Sequence, residues 1–526
     1  MSFAPPTNSS WSGGTFKGSV LTWLDGLPFV SLLVLAALAW PHTVDDAYIS
    51  FRYSENFVNG QGLVFNPGER VEGFSNPLWV YLMMAPALLG VDPTLVAKVL
   101  GICAAMATAL LISRILERHF AVSNAVRHPA LFVFCGHISV VYYAVCGLET
   151  STYSLLIVVL HYALLEKRYL LAAVATGLTA ICRPEGAMLL LSLGTGLALS
   201  SSPKRSLRYL IVPLVIVAAQ LAFRHEYYGR WLPNTFYAKA IVHRKLAELL
   251  LHHTKAFIVG TAHWSFSYLA GGSLALAGVV GMVKFWRIHP PMLVSIALLC
   301  FFIWYSVFDW MAFGRFYLPL LPLLLTYAFA ALNAAWEHFG SRGRQSLMIA
   351  AAAALVLATW GVTLRSLRRL HYGDVYAPAM SARAYVAPAL YMREHGRQGD
   401  LVAAPEIGAL AYFSRLRMLD LLGLTDAKIP AMLGPHELYG TLKRADLRGY
   451  ADYVLAKHPQ FVVIYFDRKG DTEVLSALSG CLYDEMMRQH SHVLVKKFRI
   501  NEALNLGVFM AADRIPPGRD RGPHPD

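Results

Sequence analysis

Apolar runs of roughly membrane-spanning length, near 20 residues, recur between residues 23 and 364 with short polar stretches between them. They predict spans over about 23–40, 95–115, 129–146, 149–165, 169–183, 186–201, 208–225, 265–285, 291–309, 316–334 and 346–364. One further apolar stretch, 77–90, is short, carries Pro77 and Pro86, and ends at Gly90 with Pro93 following. It reads as a re-entrant or interfacial helix, tolerated where protein or a water-filled cavity receives its backbone. After about residue 366 charges become frequent and the apolar runs shorten. Leu401–Ala404 and Phe461–Tyr465 read as buried strands, and 381–396 and 472–490 as helices. The expected fold class is a polytopic α-helical membrane protein with about 11 transmembrane helices and a C-terminal α/β domain. The expected divisions are a cytoplasmic tail at 1–22, a transmembrane region at 23–366, an extracytoplasmic domain at 367–512 and a disordered tail at 513–526.

Composition supports a membrane class: 56% of residues are apolar and 15% charged, against about 25% charged in soluble domains. The net charge of +13 is not one basic patch, so no nucleic-acid partner is expected. The basic residues fall in short clusters at Arg114–Arg118–Arg127, Lys167–Arg168, Lys204–Arg205–Arg208, Lys284–Arg287 and Arg342–Arg344. With 77–90 not crossing, all five clusters share one side, which the positive-inside rule makes cytoplasmic. The other face then gathers Asp45 to Asn76, Gly147–Thr150, Arg183–Gly186, a long loop including Tyr227–Lys239, and Asp309–Phe316. The N-terminal stretch lacks the basic start and small-residue cleavage site of a cleaved signal, so the first helix reads as a retained anchor. The six cysteines show no disulfide framework and no zinc spacing.

Asp45 and Asp46 stand just past the first apolar run, where carboxylates are costly and tend to be functional. An outward cavity with carboxylates and a few basic residues suits transfer of a sugar from a lipid phosphate. The acceptor hydroxyl needs a base, and the departing phosphate needs positive charge or hydrogen-bond donors. Either carboxylate of the doublet can be the base; the assignment is Asp45 as base, Asp46 and Glu149 orienting the acceptor, and Arg183, Lys239 and Arg315 holding phosphate. Tyr48, Arg52, Glu72, Asn76, Glu185, Tyr228, Trp231, Asn234 and Asp309 complete the expected substrate-contacting set. Plainer alternatives stand beside these. The doublet caps a helix over 47–58, Arg183 and Glu185 form an internal ion pair, Lys239 and Arg315 snorkel to headgroups, and Trp231 anchors at the interface. No metal site is read; the carboxylates invite a divalent cation, but no full set of hard ligands is present.

The run Asp45–Tyr53, followed by Gly62–Asn76, resembles the bacterial GT-C glycosyltransferases related to the mycobacterial terminal β-1,2-arabinofuranosyltransferase. Further matches are Gly147–Glu149, Arg183–Gly186, Tyr228–Thr235, Gly314–Phe316 and Asp420–Asp426. The resemblance implies a GT-C membrane enzyme in the bacterial inner membrane, its active site facing the periplasm or cell exterior. It implies a polyprenyl-phosphate sugar as donor, inverting direct displacement, and the base at Asp45 with Asp46 second. Decaprenyl-phosphate arabinofuranose is the donor used by the mycobacterial relatives. The acceptor stays open among cell-wall arabinan, lipopolysaccharide, another glycan or a protein. Competing readings are a transporter or flippase for a lipid-linked sugar, an enzyme of the same type using a hexose, and a glycan-binding scaffold.

Overall fold

In the computed structural model the described residues are 23–239, 246–270, 272–306, 311–338, 342–372, 381–433, 447–467, 477–500 and 504–515. The membrane region opens with α1 (Trp23–Ala39), α2 (Asp45–Val58), α3 (Pro77–Leu88) and α4 (Pro93–His119). It continues through α5 (Asn124–Gly136), α6 (Ile138–Val145), α7 (Thr150–Leu165), α8 (Tyr169–Cys182), α9 (Leu190–Ala198) and α10 (Ile211–Tyr228). It ends with α11 (Leu246–Tyr268), α12 (Ser273–Phe285), α13 (Pro290–Ser306), α14 (Leu321–His338) and α15 (Arg342–Tyr372).

Most expected spans correspond to helices, but their lengths differ from expectation. Among the described residues three helices, Pro93–His119, Pro203–Tyr228 and Ser346–Leu370, are long and apolar enough to cross a membrane; counting two bent pairs makes five. The 129–146 run is one of those pairs, α5 and α6, bent by 50° at His137. The 186–201 run starts as a 3-10 turn, Pro184–Leu189, before α9. At 1.5 Å per residue, the 16-residue α7 is about 24 Å long, short of the roughly 30 Å hydrocarbon core. The sequence pattern also missed α11, whose 23 residues include His252, His253, Lys255 and His263 and so dilute the apolar signal. It had placed this segment in a loop. The ambiguous 77–90 stretch is the 12-residue α3, about 18 Å long and too short to span; it packs on α2.

Beyond residue 381 a five-stranded sheet has the order β2-β1-β3-β5-β4. Its strands are β1 (Leu401–Ala404), β2 (Arg417–Asp420), β3 (Phe461–Asp467), β4 (His492–Arg499) and β5 (Leu504–Ala511). β1 runs parallel to β2 and β3, whereas β5 pairs antiparallel with both β3 and β4. The flanking helices include α16 (Arg383–His395), α17 (Gly408–Ser414) and α18 (Ala477–Gln489). Two boundaries differ from the expected ones. α15 continues past residue 366 to Tyr372, and residues 512–514 form a 3-10 turn in which Arg514 donates to Asp400 at 2.8 Å. The tail beyond 515 lies outside the described residues.

The sheet unit is welded to the first polar segment. Ala382 N–H donates to the Thr43 carbonyl at 2.9 Å, and Val44 forms an isolated antiparallel bridge with Ser381. α17 packs directly on α2, and Tyr48, Phe51, Val402 and Phe461 belong to one continuous apolar core. That seam positions Asp45, Arg52 and Tyr48.

Candidate active site at the seam

α2 begins at the acidic doublet because Asp45 and Asp46 occupy its first turn, where carboxylates offset the exposed backbone N–H groups. Asp45 is buried, and its carboxylate faces a different helix. Oδ2 accepts from Gly408 N–H at 2.9 Å and Oδ1 from Ala409 N–H at 2.7 Å, so Asp45 caps the start of α17. Glycine is required at 408, since a Cβ there would lie 2.0 Å from the Asp45 carbonyl oxygen. Burial raises the Asp45 carboxyl to about 7 against the lowering by the Ala409 N–H, with the Asp46 charge adding to the rise. Asp46 is half-buried and makes no side-chain hydrogen bond among the described residues.

Glu406, just before α17, was not singled out from the sequence; it lies in a segment with no motif around it. Burial, then the charges of Asp45, Asp46 and Asp420, push its carboxyl well above the ordinary range. Tyr385 and Tyr465, joined hydroxyl to hydroxyl, stand within electrostatic reach of Glu406 and Asp45.

Opposite the doublet is a charge network built from three separate motifs. Glu149 sits at the N-cap of α7, buried, and its Oε1 accepts from Arg183 Nη1 and from Arg315 Nη2, both at 2.7 Å. Its Oε2 accepts from Asn76 Nδ2 at 2.8 Å, and Asn76 is bonded in turn to Ser50 on α2. Burial alone would raise the Glu149 carboxyl, but Arg315 and Arg183 hold it down to about 2. Arg183 also donates through Nε to Glu185, so the ion pair foreseen as an alternative is present. Gly186 completes that turn: a Cβ there would meet the Thr179 carbonyl oxygen at 2.1 Å. Arg315 Nε is buried and has no hydrogen-bond partner among the described residues. Its guanidinium also feels the Asp46 charge, and Ser50, one helical turn after Asp46 on α2, joins the same network through Asn76.

The remaining expected residues fall into groups. Arg52 is buried and donates to the carbonyls of Phe65, Ala411 and Leu416, a bracing role between the first loop and α17. Glu72 is buried in a two-bond ion pair with Arg224 of α10, at 2.5 and 3.1 Å. Arg224 escaped notice because it lies inside an apolar run. Asn234 donates to the carbonyls of Gly423, Leu424 and Asp426, tying the Tyr228–Thr235 motif to the Asp420–Asp426 motif. Tyr228 donates to the Leu63 carbonyl at 2.7 Å. Trp231 is exposed and stacked on His225 at 4.2 Å. Tyr48 lies among Phe51, Tyr412 and Phe413. Asp309 and the Lys239 side chain lie outside the described residues.

The seam therefore juxtaposes carboxylates (Asp45, Asp46, Glu406) with guanidinium groups (Arg183, Arg315). No three His, Cys, Asp or Glu side chains among the described residues converge as metal ligands.

Comparison with known proteins agrees with this architecture. Residues 376–510 match a family described as a domain of unknown function, DUF8728. No curated protein matches the chain in sequence. Among solved structures the chain is similar to ArnT from Cupriavidus metallidurans in the apo state, with TM-score 0.60 and 14% identity. That alignment covers 95% of this chain and 100% of ArnT. The likeness shows the fold: the chain shares its overall architecture with ArnT over nearly its whole length.

Proposed function

We propose that this protein is an integral membrane glycosyltransferase that moves a sugar from a polyprenyl-phosphate donor to a glycan or glycoconjugate acceptor outside the cytoplasm. D-arabinofuranose is the sugar we assign, on the resemblance of the Asp45–Asn76 block. The observation that carries the reading is the seam itself: a half-buried carboxylate, Asp46, without a hydrogen-bond partner among the described residues, on a helix joined through Ser50, Asn76 and Glu149 to an arginine pair in which Arg315 Nε is also unpartnered among the described residues. The ArnT-like fold supports a lipid-linked donor and a membrane setting.

In this reading Asp46 takes the proton of the acceptor hydroxyl as its oxygen attacks the anomeric carbon. The bond from that carbon to the phosphate oxygen breaks, and its electron pair leaves with the lipid phosphate. Arg315 and Arg183, held in place by Glu149, stabilise the departing charge with the N–H groups that Glu149 and Glu185 leave free. Asp45, with both oxygens on α17, aligns α2 and so positions Asp46. Membranes containing the protein, supplied with radiolabelled polyprenyl-phosphate arabinose, are expected to yield labelled glycan, and Asp46→Asn to abolish it. Full transfer by Asp46→Asn sinks the proposal; lipid flipping with no glycan product would favour the transporter reading.

A further inference from the structure

An open cleft of about 640 Å³ lies on the far side of α2 from Asp46, and the chemistry above does not use it. Its floor is aromatic: Tyr48 meets Tyr412 at 5.0 Å and Phe413 at 5.1 Å between ring centres, and Tyr412 meets Phe413 at 5.3 Å. Glu55 and Asn59 line it from α2, and the Gly90–Thr94 corner before α4 closes the other wall with Asp92. The volume falls in the roughly 300–1,000 Å³ range of small-molecule clefts.

The lining selects among ligands. Two carboxylates, Glu55 and Asp92, face one guanidinium, Arg415, and that group already donates to Glu55 and lies over the Tyr412 ring. Such a surface repels a phosphate. Asn59 is exposed, and its side chain makes no hydrogen bond among the described residues. Asp92 uses Oδ1 to cap Thr94 and keeps Oδ2 free of any hydrogen bond among the described residues. Aromatic faces flanked by carboxylate and amide acceptors match the alternating C–H faces and hydroxyl edges of sugar rings.

Position links the cleft to the seam. Tyr48 stands one helical turn from Asp45, on the same face of α2, and Asp45 caps the helix that presents Tyr412 and Phe413. We propose that this cleft binds the neutral glycan portion of the acceptor, the half-buried Phe413 ring, backed by the buried Tyr48 and Tyr412, stacking on a sugar face and Asn59 and Asp92 reading its hydroxyls; this rests on the glycosyltransferase reading.

Two measurements on the full-length protein in nanodiscs test it. Saturation-transfer NMR with short neutral oligosaccharides of arabinofuranose, and separately of glucose, is expected to show binding by the wild type and by Asp46→Asn. That binding is expected to disappear in Asn59→Trp, which fills the cleft from an exposed position, and to weaken about tenfold in Phe413→Ala, which removes a stacking ring. In transfer assays both substitutions are expected to raise the acceptor KM by about the same factor while the lipid-donor KM stays unchanged. The inference is overturned by a wild type that binds neither series, by undiminished binding in Asn59→Trp, or by a donor KM that rises with the acceptor KM. Loss of transfer in Asp46→Asn bears only on the proposed chemistry, because that variant keeps the cleft; the two ideas fail separately.

Discussion

Asp45 and Asp46 are neighbours in sequence with different physical tasks. Asp45 has both oxygens on backbone N–H groups of α17, whereas Asp46 has no such bond. Asp46→Asn is accordingly expected to cost about 10²–10⁴ in transfer rate with thermal stability unchanged. Asp45→Asn places an NH₂ against an N–H donor and is expected to lower both, by about 1–3 kcal/mol in stability. Parallel thermal-shift and transfer assays separate the two, and equal Tm losses would contradict the assignment. The same cluster sets the pH dependence. Asp45, Asp46 and Glu406 lie within electrostatic reach of one another, and the Asp45 carboxyl is raised to about 7. The ionised form of Asp45 is the one that accepts two N–H groups at the start of α17, so transfer is expected to rise with pH through an inflection near 7 set by Asp45. Glu406→Gln removes a neighbouring negative charge and is expected to move that inflection to lower pH; a pH–rate profile that does not move argues against the cluster.

At the scale of elements, Glu149 joins the N-terminus of α7 to the Arg183 turn and the Arg315 loop. Its carboxyl is held at about 2 against an ordinary 4.5, so its contribution is present above about 4.5 and is lost as pH falls toward 2. That shift corresponds to about 3 kcal/mol for this buried group. Glu149→Gln is expected to lose at least that much, because it leaves the buried Arg315 without its carboxylate and Arg183 with Glu185 alone. Denaturant or thermal unfolding between neutral pH and pH 3 should show the wild type converging on the variant as the pH falls. The α2–α17 contact has its own test. Gly408→Ala drives a Cβ into the Asp45 backbone, and the strain is expected to cost about 1–3 kcal/mol and to expose the seam to limited proteolysis. Unchanged cleavage would mean that α17 is not held as described.

For the molecule as a whole, the reading needs the seam on the side opposite the basic loops. In a Cys103→Ser background, which removes the exposed native thiol, an Asn59→Cys protein is expected to react with a membrane-impermeant maleimide from outside intact cells. A Lys204→Cys protein is expected to react only after the membrane is opened. Reversal of that pattern would place the carboxylates in the cytosol and remove the proposed donor from reach.

What the sequence determined by itself is local. β1 occupies the four residues expected of it, and β3 starts where expected and runs two residues further, because short apolar runs bounded by turns specify buried strands. The polar motifs were legible as islands between apolar runs, and burial of Asp45, Glu149 and Arg183 agrees with their cost near hydrocarbon. β2, at four residues, and β4, with Lys496, Lys497 and Arg499, lack such a pattern and were missed. Only the tertiary structure decided which motif residues weld and which remain free. Asp45 meets Gly408 across 363 positions, Asn66 meets Met418 across 352, and Asn234 meets Gly423 across 189. A carboxylate or amide carries the same hydrogen-bonding capacity in any context, and its role is fixed by the partners that packing brings to it. The identity of those partners depends on how α2, α10 and the sheet unit dock, which no periodicity along the chain encodes.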